Sequence, residues 1–246
     1  MWWFRKREKV HFDYTHDIHS HVLPGVDDGV RTYGEAIMVL KGLSRLGVKR
    51  VTCTSHVYFP ALMNGRENLH PLLEDLRAGL QKEGVEIELD LGAEYRVGEY
   101  MLSLVERGEI LSGDDNRVLV EHNFLSPSPF FDQVVFELQA RGYEVVLAHP
   151  ERYVFWEDDI VRHGKELKNK NCRLQVNILS FAGYYGKEAQ RGAERLHDAG
   201  WIDYYAGDAL TAKAIDVLAQ LVFAHVQVCL YGTSTYTLFL SSAIFI

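Results

Sequence analysis

A repeated turn between helix and strand is the feature that most limits how this chain can fold. Four glycines and one asparagine each close a helix-like segment and stand directly before a short strand-like run: Gly47, Gly84, Gly142, Asn171 and Gly200. Glycine and asparagine suit the left-handed backbone that ends many helices, so each position predicts a helix end followed at once by a strand. Short αβ loops alternating with strands imply parallel strands joined by right-handed crossovers.

Seven strand-like segments can be counted along the chain. Five follow the turns, at residues 48–54, 85–89, 143–147, 172–176 and 201–205, one leads into His19, and one covers residues 118–120. Seven parallel strands favour a closed or nearly closed (β/α) barrel, although spacing alone also permits an open doubly wound sheet. We therefore predict an α/β chain built as a distorted, TIM-like seven-stranded barrel. No linker divides it, which predicts one domain over residues 1–246 with a loose N-terminal arm at residues 1–12.

The predicted strands end in side chains that can bind metal ions. They are His19, His21, His56, Glu94, Glu121, His149 and Asp208. His19 and His21 are two residues apart, so on an extended strand both rings point to the same side. In a parallel barrel the carboxyl ends of the strands meet at one rim, which would bring these groups together. Burying so many ionisable groups is costly unless cations bind them, so the pattern predicts a polynuclear site for manganese, iron or zinc.

The same stretches carry a family resemblance. Its motifs are Asp17-Ile18-His19-Ser20-His21, Val26-Asp27-Asp28-Gly29, Thr54-Ser55-His56, Gly92-Ala93-Glu94, Val120-Glu121 and Ala148-His149-Pro150-Glu151-Arg152-Tyr153. In order and spacing they resemble the PHP (polymerase and histidinol phosphatase) superfamily. Within it they most resemble the bacterial manganese-dependent protein-tyrosine phosphatases of capsule and exopolysaccharide operons, over about Asp17 to Asp208.

The resemblance implies roles for individual residues. It assigns one metal ion to His19, His21, Glu94 and Asp208, a second to Glu94, Glu121 and His149, and a third to Asp28 and His56. Arg152 and Asp208 would be the catalytic residues. Arg152 would also contact the phosphate and stabilise its charge, and its guanidinium fork suits phosphate oxygens. The implied reaction is hydrolysis of phosphotyrosine by hydroxide on two or three Mn²⁺ ions, with Fe or Zn as alternatives. The implied partner is a bacterial tyrosine kinase that regulates polysaccharide synthesis.

Two features depart from the family pattern. The family usually has Asp-x-His at the last strand, whereas this chain reads Asp208-Ala209-Leu210. Leucine cannot coordinate a metal, so the third ion would be absent or weakly held. Residues 217–246 form an atypical apolar tail with no clean transmembrane span after Asp216, because polar side chains interrupt it.

Composition and cysteine spacing narrow the alternatives. The formal net charge of -8 argues against a nucleic-acid surface. Three scattered cysteines favour a reducing, cytoplasmic location, and none has the arginine six residues later that a cysteine-dependent tyrosine phosphatase requires.

Two other functions stay open: hydrolysis of a small phosphate monoester such as histidinol phosphate, and a degenerate, non-catalytic protein that binds a kinase. Residues 57–64 after His56, together with Tyr95 and Tyr153, could form an aromatic rim for a tyrosine ring, although packing explains each of them more simply. An oligomer is possible.

Overall fold

Strands and helices alternate along the chain. The structure is a computed structural model and describes residues 14–208 and 214–219. The strands are β1 (His16–Ser20), β2 (Arg50–Cys53), β3 (His56–Val57), β4 (Glu88–Leu91), β5 (Glu94–Arg96), β6 (Arg117–Glu121), β7 (Glu144–Ala148), β8 (Arg173–Asn177) and β9 (Tyr204–Ala206). The helices are α1 (Tyr33–Arg45), α2 (Arg66–Lys82), α3 (Glu99–Arg107), α4 (Phe131–Ala140), α5 (Ile160–Asn169), α6 (Ile178–Phe181) and α7 (Lys187–Asp198), with 3₁₀ turns at Pro150–Arg152 and Val154–Trp156. Residues 214–219 are also helical.

All paired strands run parallel, which confirms the predicted α/β class. Within the described residues the strands number nine, in sheets ordered β1-β2-β4 and β3-β5-β6-β7-β8-β9, where the sequence predicts seven. Residues 54–55 separate β2 from β3, and residues 92–93 separate β4 from β5. Thr54 shows one cause, because its Oγ1 accepts the hydrogen bond of the Ser20 N–H at 3.0 Å in place of a main-chain carbonyl. The regular ladder therefore stops at this point.

The predicted left-handed turns are all present. The φ angles are +94° at Gly47, +64° at Gly84, +85° at Gly142, +53° at Asn171 and +70° at Gly200. In every case the next residue donates its N–H to the carbonyl five positions earlier, at 2.9 to 3.1 Å, as Val48 does to Leu43. This is the 6→1 bond of a Schellman motif. Because the residue after each left-handed turn still caps the helix, the strands begin later than predicted, for example at Arg50 instead of Val48.

Two apolar clusters occupy opposite faces of the strands. The larger one packs the helices against the sheets and includes Val118 and Val120 of β6. The smaller one contains Ile18, Leu119, Val146, Ala148 and Ala206. Since neighbouring side chains on a strand point to opposite faces, Leu119 belongs to the face away from the helices. That inner face leads to the ligand-type residues at the strand ends.

Some sequence predictions concern parts of the chain that the structure does not describe. The N-terminal arm, Leu210, Cys229 and residues 220–246 of the apolar tail lie outside the described residues. Cys53 and Cys172 are buried and free. In the part that is described, the helices are too short or too polar to cross a bilayer.

Candidate metal centre

The predicted ligands meet at the carboxyl ends of the strands. Six of the eight are almost fully buried: His19, His21, Glu94, Glu121, His149 and Asp208, each 3% exposed or less. His56 is partly exposed, and the side chain of Asp28 is 67% exposed. Buried carboxylates and imidazoles at this density need partners, and here they are mainly each other.

Four donor atoms face one point. His19 Nε2 lies 3.1 Å from Glu94 Oε2 and 3.6 Å from Asp208 Oδ1. His21 Nε2 lies 3.2 Å from the same glutamate oxygen and 3.5 Å from the same aspartate oxygen. The two Nε2 atoms are 3.1 Å apart. Two imidazoles and two carboxylates in this arrangement match the four ligands that zinc-like ions prefer.

The second oxygen of Glu94 faces a different group. His149 Nε2 lies 2.8 Å from Glu94 Oε1 and 4.0 Å from Glu121 Oε2. Glu121 Oε2 is buried without a hydrogen bond, which leaves its lone pairs free. Glu94 therefore stands between two sets of donors, as a carboxylate that bridges two ions does.

A third and more open group surrounds His56. Its Nδ1 lies 3.1 Å from Glu94 Oε2, and its Nε2 lies 3.4 Å from Asp28 Oδ1. These are the two predicted ligands of the third ion, and one of them is largely exposed to solvent. Leu210 lies outside the described residues.

Hydrogen bonds on the side away from the centre orient the rings of His19 and His21. His19 Nδ1 lies 3.0 Å from Gln175 Oε1, and His21 Nδ1 lies 2.8 Å from Asp27 Oδ2. Both partners are acceptors, so a neutral ring keeps its proton on Nδ1 and presents the Nε2 lone pair to the centre. Two lone pairs 3.1 Å apart repel each other unless a cation lies between them. The donor set therefore fits a divalent metal ion.

The charges of the centre attract positive charge. Burial opposes the charged form of His19, but Glu94 and Asp208 outweigh it and raise the pKa of His19 to about 9. Burial and the charge of Glu94 raise the pKa of Glu121 to about 8. Burial lowers the pKa of His149 to about 4, so its ring is neutral near pH 7. Protons and metal ions compete for the same atoms.

Arg152 lies next to this cluster, as the sequence predicts. Its Nη1 donates to Asp208 Oδ2 at 2.8 Å. The guanidinium carbon lies 4.2 Å from the ring centre of Tyr185 and 4.7 Å from that of Phe124. Asn177 also donates to Asp208 Oδ2, at 2.6 Å, so Oδ1 is the oxygen left to face the histidines.

Several supporting residues were not singled out from the sequence. They are Asp27, Arg96, Gln175 and Asn177. A signal for two of them existed, because Gln175 and Asn177 are uncharged polar residues that alternate with the apolar Leu174 and Val176. The suggested aromatic pocket from Tyr95 and Tyr153 is wrong, since both rings are 1% exposed and their hydroxyls accept main-chain N–H groups. Simple packing accounts for them.

Known proteins resemble the chain over most of its length. The family described as "Capsular polysaccharide synthesis, CpsB/CapC" matches residues 15–216. The tyrosine-protein phosphatase YwqE of Bacillus subtilis is 29% identical over 80% of this chain and 78% of its own. The putative tyrosine-protein phosphatase CapC of Staphylococcus aureus is 27% identical over 78% and 76%, respectively.

Solved structures show the same fold. One belongs to the pair YwqE from Bacillus subtilis and CpsB from Streptococcus pneumoniae, described as metal-dependent tyrosine phosphatases. It superposes with a TM-score of 0.78 at 26% identity and covers 89% of this chain and 88% of that one. A histidinol phosphate phosphatase from Lactococcus lactis, solved with zinc, shares the fold at a TM-score of 0.54 and 11% identity, over 86% of this chain and 94% of its own.

Proposed function

Since the chain belongs to the CpsB/CapC family of capsular polysaccharide synthesis proteins, we propose that it is a metal-dependent protein-tyrosine phosphatase. One observation carries this proposal: Glu94 stands between the donors His19, His21 and Asp208 on one side and His149 and Glu121 on the other. A degenerate binding protein would have no need to bury these groups together. The names of the similar phosphatases support the same reaction.

We propose one assignment of the ions among candidate groups that share the ligands His19, His21 and Glu94. His19, His21, Glu94 and Asp208 would hold one ion, and Glu94, Glu121 and His149 a second. Asp28 and His56 would hold a third only weakly, since Leu210 supplies no ligand. Mixed imidazole and carboxylate donors suit Mn²⁺, with Fe or Zn as alternatives.

The protein's own residues would position the substrate. Bound ions would supply Lewis-acid polarisation of the phosphate and make water acidic enough to react near neutral pH. Arg152 has nitrogens to spare beyond the one bound to Asp208, so it can hold phosphate oxygens while its plane is fixed by Tyr185 and Phe124. Asp208 would act both as a ligand and as the anchor that orients Arg152.

The substrate we propose is phosphotyrosine on a protein, in particular a bacterial tyrosine kinase that regulates capsule or exopolysaccharide synthesis. The family description and the names of the relatives support this choice. A cytoplasmic location is part of the proposal, and the free thiols of Cys53 and Cys172 accord with a reducing compartment.

We also propose that the two sheets form one distorted seven-stranded barrel, in which β2 with β3 and β4 with β5 each count as a single strand. Glu94 donates its N–H to the carbonyl of Ser55 at 3.2 Å, beside the interruptions in both strands. Asp208 donates to the carbonyl of His19 at 2.9 Å, which joins the end of β9 to β1. The small inner apolar cluster, to which β1, β6, β7 and β9 contribute, is what the interior of a barrel requires.

Hydrolysis of a phosphotyrosine peptide tests the proposed function. Protein stripped with a chelator should be inactive and should recover turnover when Mn²⁺ is added. Glu94→Gln should lower kcat/KM more than about 100-fold, because loss of a bridging ligand should cost at least as much as loss of a supporting group. Glu86→Gln removes an exposed carboxylate of the same type and should match the native protein.

Other outcomes would change the assignment. Manganese-dependent turnover of histidinol phosphate without turnover of the peptide would move the substrate to small monoesters. Activity only in Leu210→His would show that the third ion is required and that this chain has lost it. The proposed phosphatase activity would be contradicted if neither the native protein nor Leu210→His hydrolysed the phosphotyrosine peptide or histidinol phosphate.

A further inference from the structure

Arg96 makes direct contact with one proposed metal ligand. It follows Glu94 by two positions in β5, so both side chains leave the strand on the same face. Its Nε and Nη2 donate to Glu121 Oε1, at 3.2 and 2.9 Å. The guanidinium therefore donates two hydrogen bonds to one oxygen of a carboxylate that is fully buried.

This contact makes the two oxygens of Glu121 different. Oε1 accepts from Arg96 and lies 3.5 Å from His56 Nδ1, while Oε2 has no hydrogen bond and lies 4.0 Å from His149 Nε2. A carboxylate without such a partner could rotate and offer either oxygen to the centre. With Arg96 in place, Oε2 is the oxygen offered beside His149.

Arg96 is itself held in place by an aromatic ring. Its guanidinium carbon lies 4.2 Å from the ring centre of Tyr58. The main chain of Tyr58 is held in turn by two hydrogen bonds with that of Leu62, at 2.7 and 2.9 Å, which fixes the point from which the ring projects. Stacking on a fixed ring restricts the plane of the guanidinium and therefore the direction of its donors.

We propose that Arg96, with Tyr58 as its platform, is a positioning residue that orients Glu121 toward the second metal ion. The proposal rests on the proposed function only in taking Glu121 as a ligand. It gives Arg96 a role distinct from that of Arg152, which contacts Asp208 on the other side of the centre. Outer partners of metal ligands typically contribute about 10-fold to 100-fold to metal affinity.

Calorimetric titration with Mn²⁺ tests the proposal without any need for turnover. In the chelator-stripped full chain, Arg96→Gln should weaken one class of bound ion about 10-fold to 100-fold and leave the other class unchanged. Arg96→Lys keeps the charge but loses the fork, so it should weaken the same class to a smaller extent. Tyr58→Leu should resemble Arg96→Lys, and Tyr58→Phe should bind as the native protein does.

Arg107→Gln is the matched control, because Arg107 pairs with Glu109 on the exposed side of α3. Native isotherms in Arg96→Gln and Arg96→Lys would overturn the proposal. So would an unchanged Mn²⁺ isotherm combined with weaker binding of inorganic phosphate, since Arg96 would then contact the substrate. If Arg96→Gln fails to fold by circular dichroism, Arg96→Lys and Tyr58→Leu decide.

The two proposals fail in different ways. A native protein that binds Mn²⁺ with the expected effect of Arg96→Gln, yet hydrolyses no phosphotyrosine peptide, would contradict the function and support the role of Arg96. A native protein that binds none of Mn²⁺, Fe²⁺ and Zn²⁺ would overturn both.

Discussion

His16 shows how one buried side chain can link stability to pH. Its Nε2 lies 2.9 Å from Thr52 Oγ1, and Arg117 Nη2 lies 3.3 Å from its Nδ1. Burial and the charges of Arg117 and Arg50 lower the pKa of His16 from 6.5 to about 4, against the smaller opposing effects of Asp115 and Asp90. The ring is therefore neutral in the folded protein at pH values where it is already protonated in the unfolded chain.

The difference between the pKa of His16 in the folded and unfolded states sets the sign of the pH dependence of stability. Between about pH 6.5 and pH 4 the unfolded state binds more protons at His16, so the free energy of unfolding falls as the pH falls. His16→Gln should remove on the order of 1 kcal/mol of that fall, a figure reduced for the partial exposure of the ring. Urea unfolding at several pH values measures it. His70→Gln, which removes an exposed histidine, should keep the native pH dependence, and a His16→Gln curve parallel to the native one would contradict the prediction.

The proposed metal ligands could be predicted from the sequence, but the residues that hydrogen-bond to those ligands could not. His19, His21, Glu94, Glu121, His149 and Asp208 stood out because each is a ligand type at a strand end. Arg96 and Asp27 act through contacts with residues 25 and 6 positions away, and no local pattern marks such pairs. Their roles depend on tertiary packing, which spacing does not contain.

At the scale of elements, the turns between helix and strand were the most predictable feature. Residue type alone indicated the positive φ at Gly47, Gly84, Gly142, Asn171 and Gly200. Strand starts were less predictable, because the residue after each turn caps the helix before the strand begins. The interruptions at residues 54–55 and 92–93 were missed, since a side-chain acceptor such as Thr54 replaces a main-chain one only in the folded protein.

Asn171 permits a direct test of the turn. Its φ of +53° is unfavourable for a residue with a Cβ, and asparagine tolerates it better than alanine does. Asn171→Ala should lower the free energy of unfolding by about 1 kcal/mol, whereas Asn171→Gly should leave it within about 0.5 kcal/mol of native. Chemical unfolding of chelator-treated protein measures both. Equal stability of the alanine and glycine variants would show that backbone conformation at this turn contributes nothing.

At the scale of the whole molecule, the proposed metal ions connect distant strands. Their ligands come from β1, β5, β6, β7 and β9 or from the residues next to them. An ion that binds only the folded protein stabilises it by about 2.7 kcal/mol at 100 times its Kd. For a chain of this size that corresponds to a rise in Tm of roughly 5–10 °C.

Thermal unfolding with Mn²⁺ and with a chelator measures this rise. Glu94→Gln should lose most of it, because Glu94 faces both groups of donors. Glu86→Gln should keep it. Equal Tm values with and without Mn²⁺ in a protein that shows Mn²⁺-dependent turnover would contradict the proposed cross-linking of the strands.

The parallel class of the whole fold was predicted and is confirmed, whereas the closed barrel that the strand count favours stays a prediction. Alternation of helix and strand implies parallel pairing, as observed. Whether the first and last strands meet depends on the contact of Asp208 with His19, which joins residues 189 positions apart in the sequence. Periodicity is a local property and carries no information about such a distance.

The 6→1 turns and the ligand cluster lie at opposite ends of the strands, and this separation bears on how such a chain can diverge. The turns satisfy the helix ends with main-chain bonds at residues such as Val48 and Val85, far from any ligand. A substitution among the ligands, such as Glu94→Gln, should therefore leave the turns intact. Related sequences can therefore lose or exchange a metal ligand, and with it a metal ion or a substrate, while they keep the same helix-ending turns and the same fold.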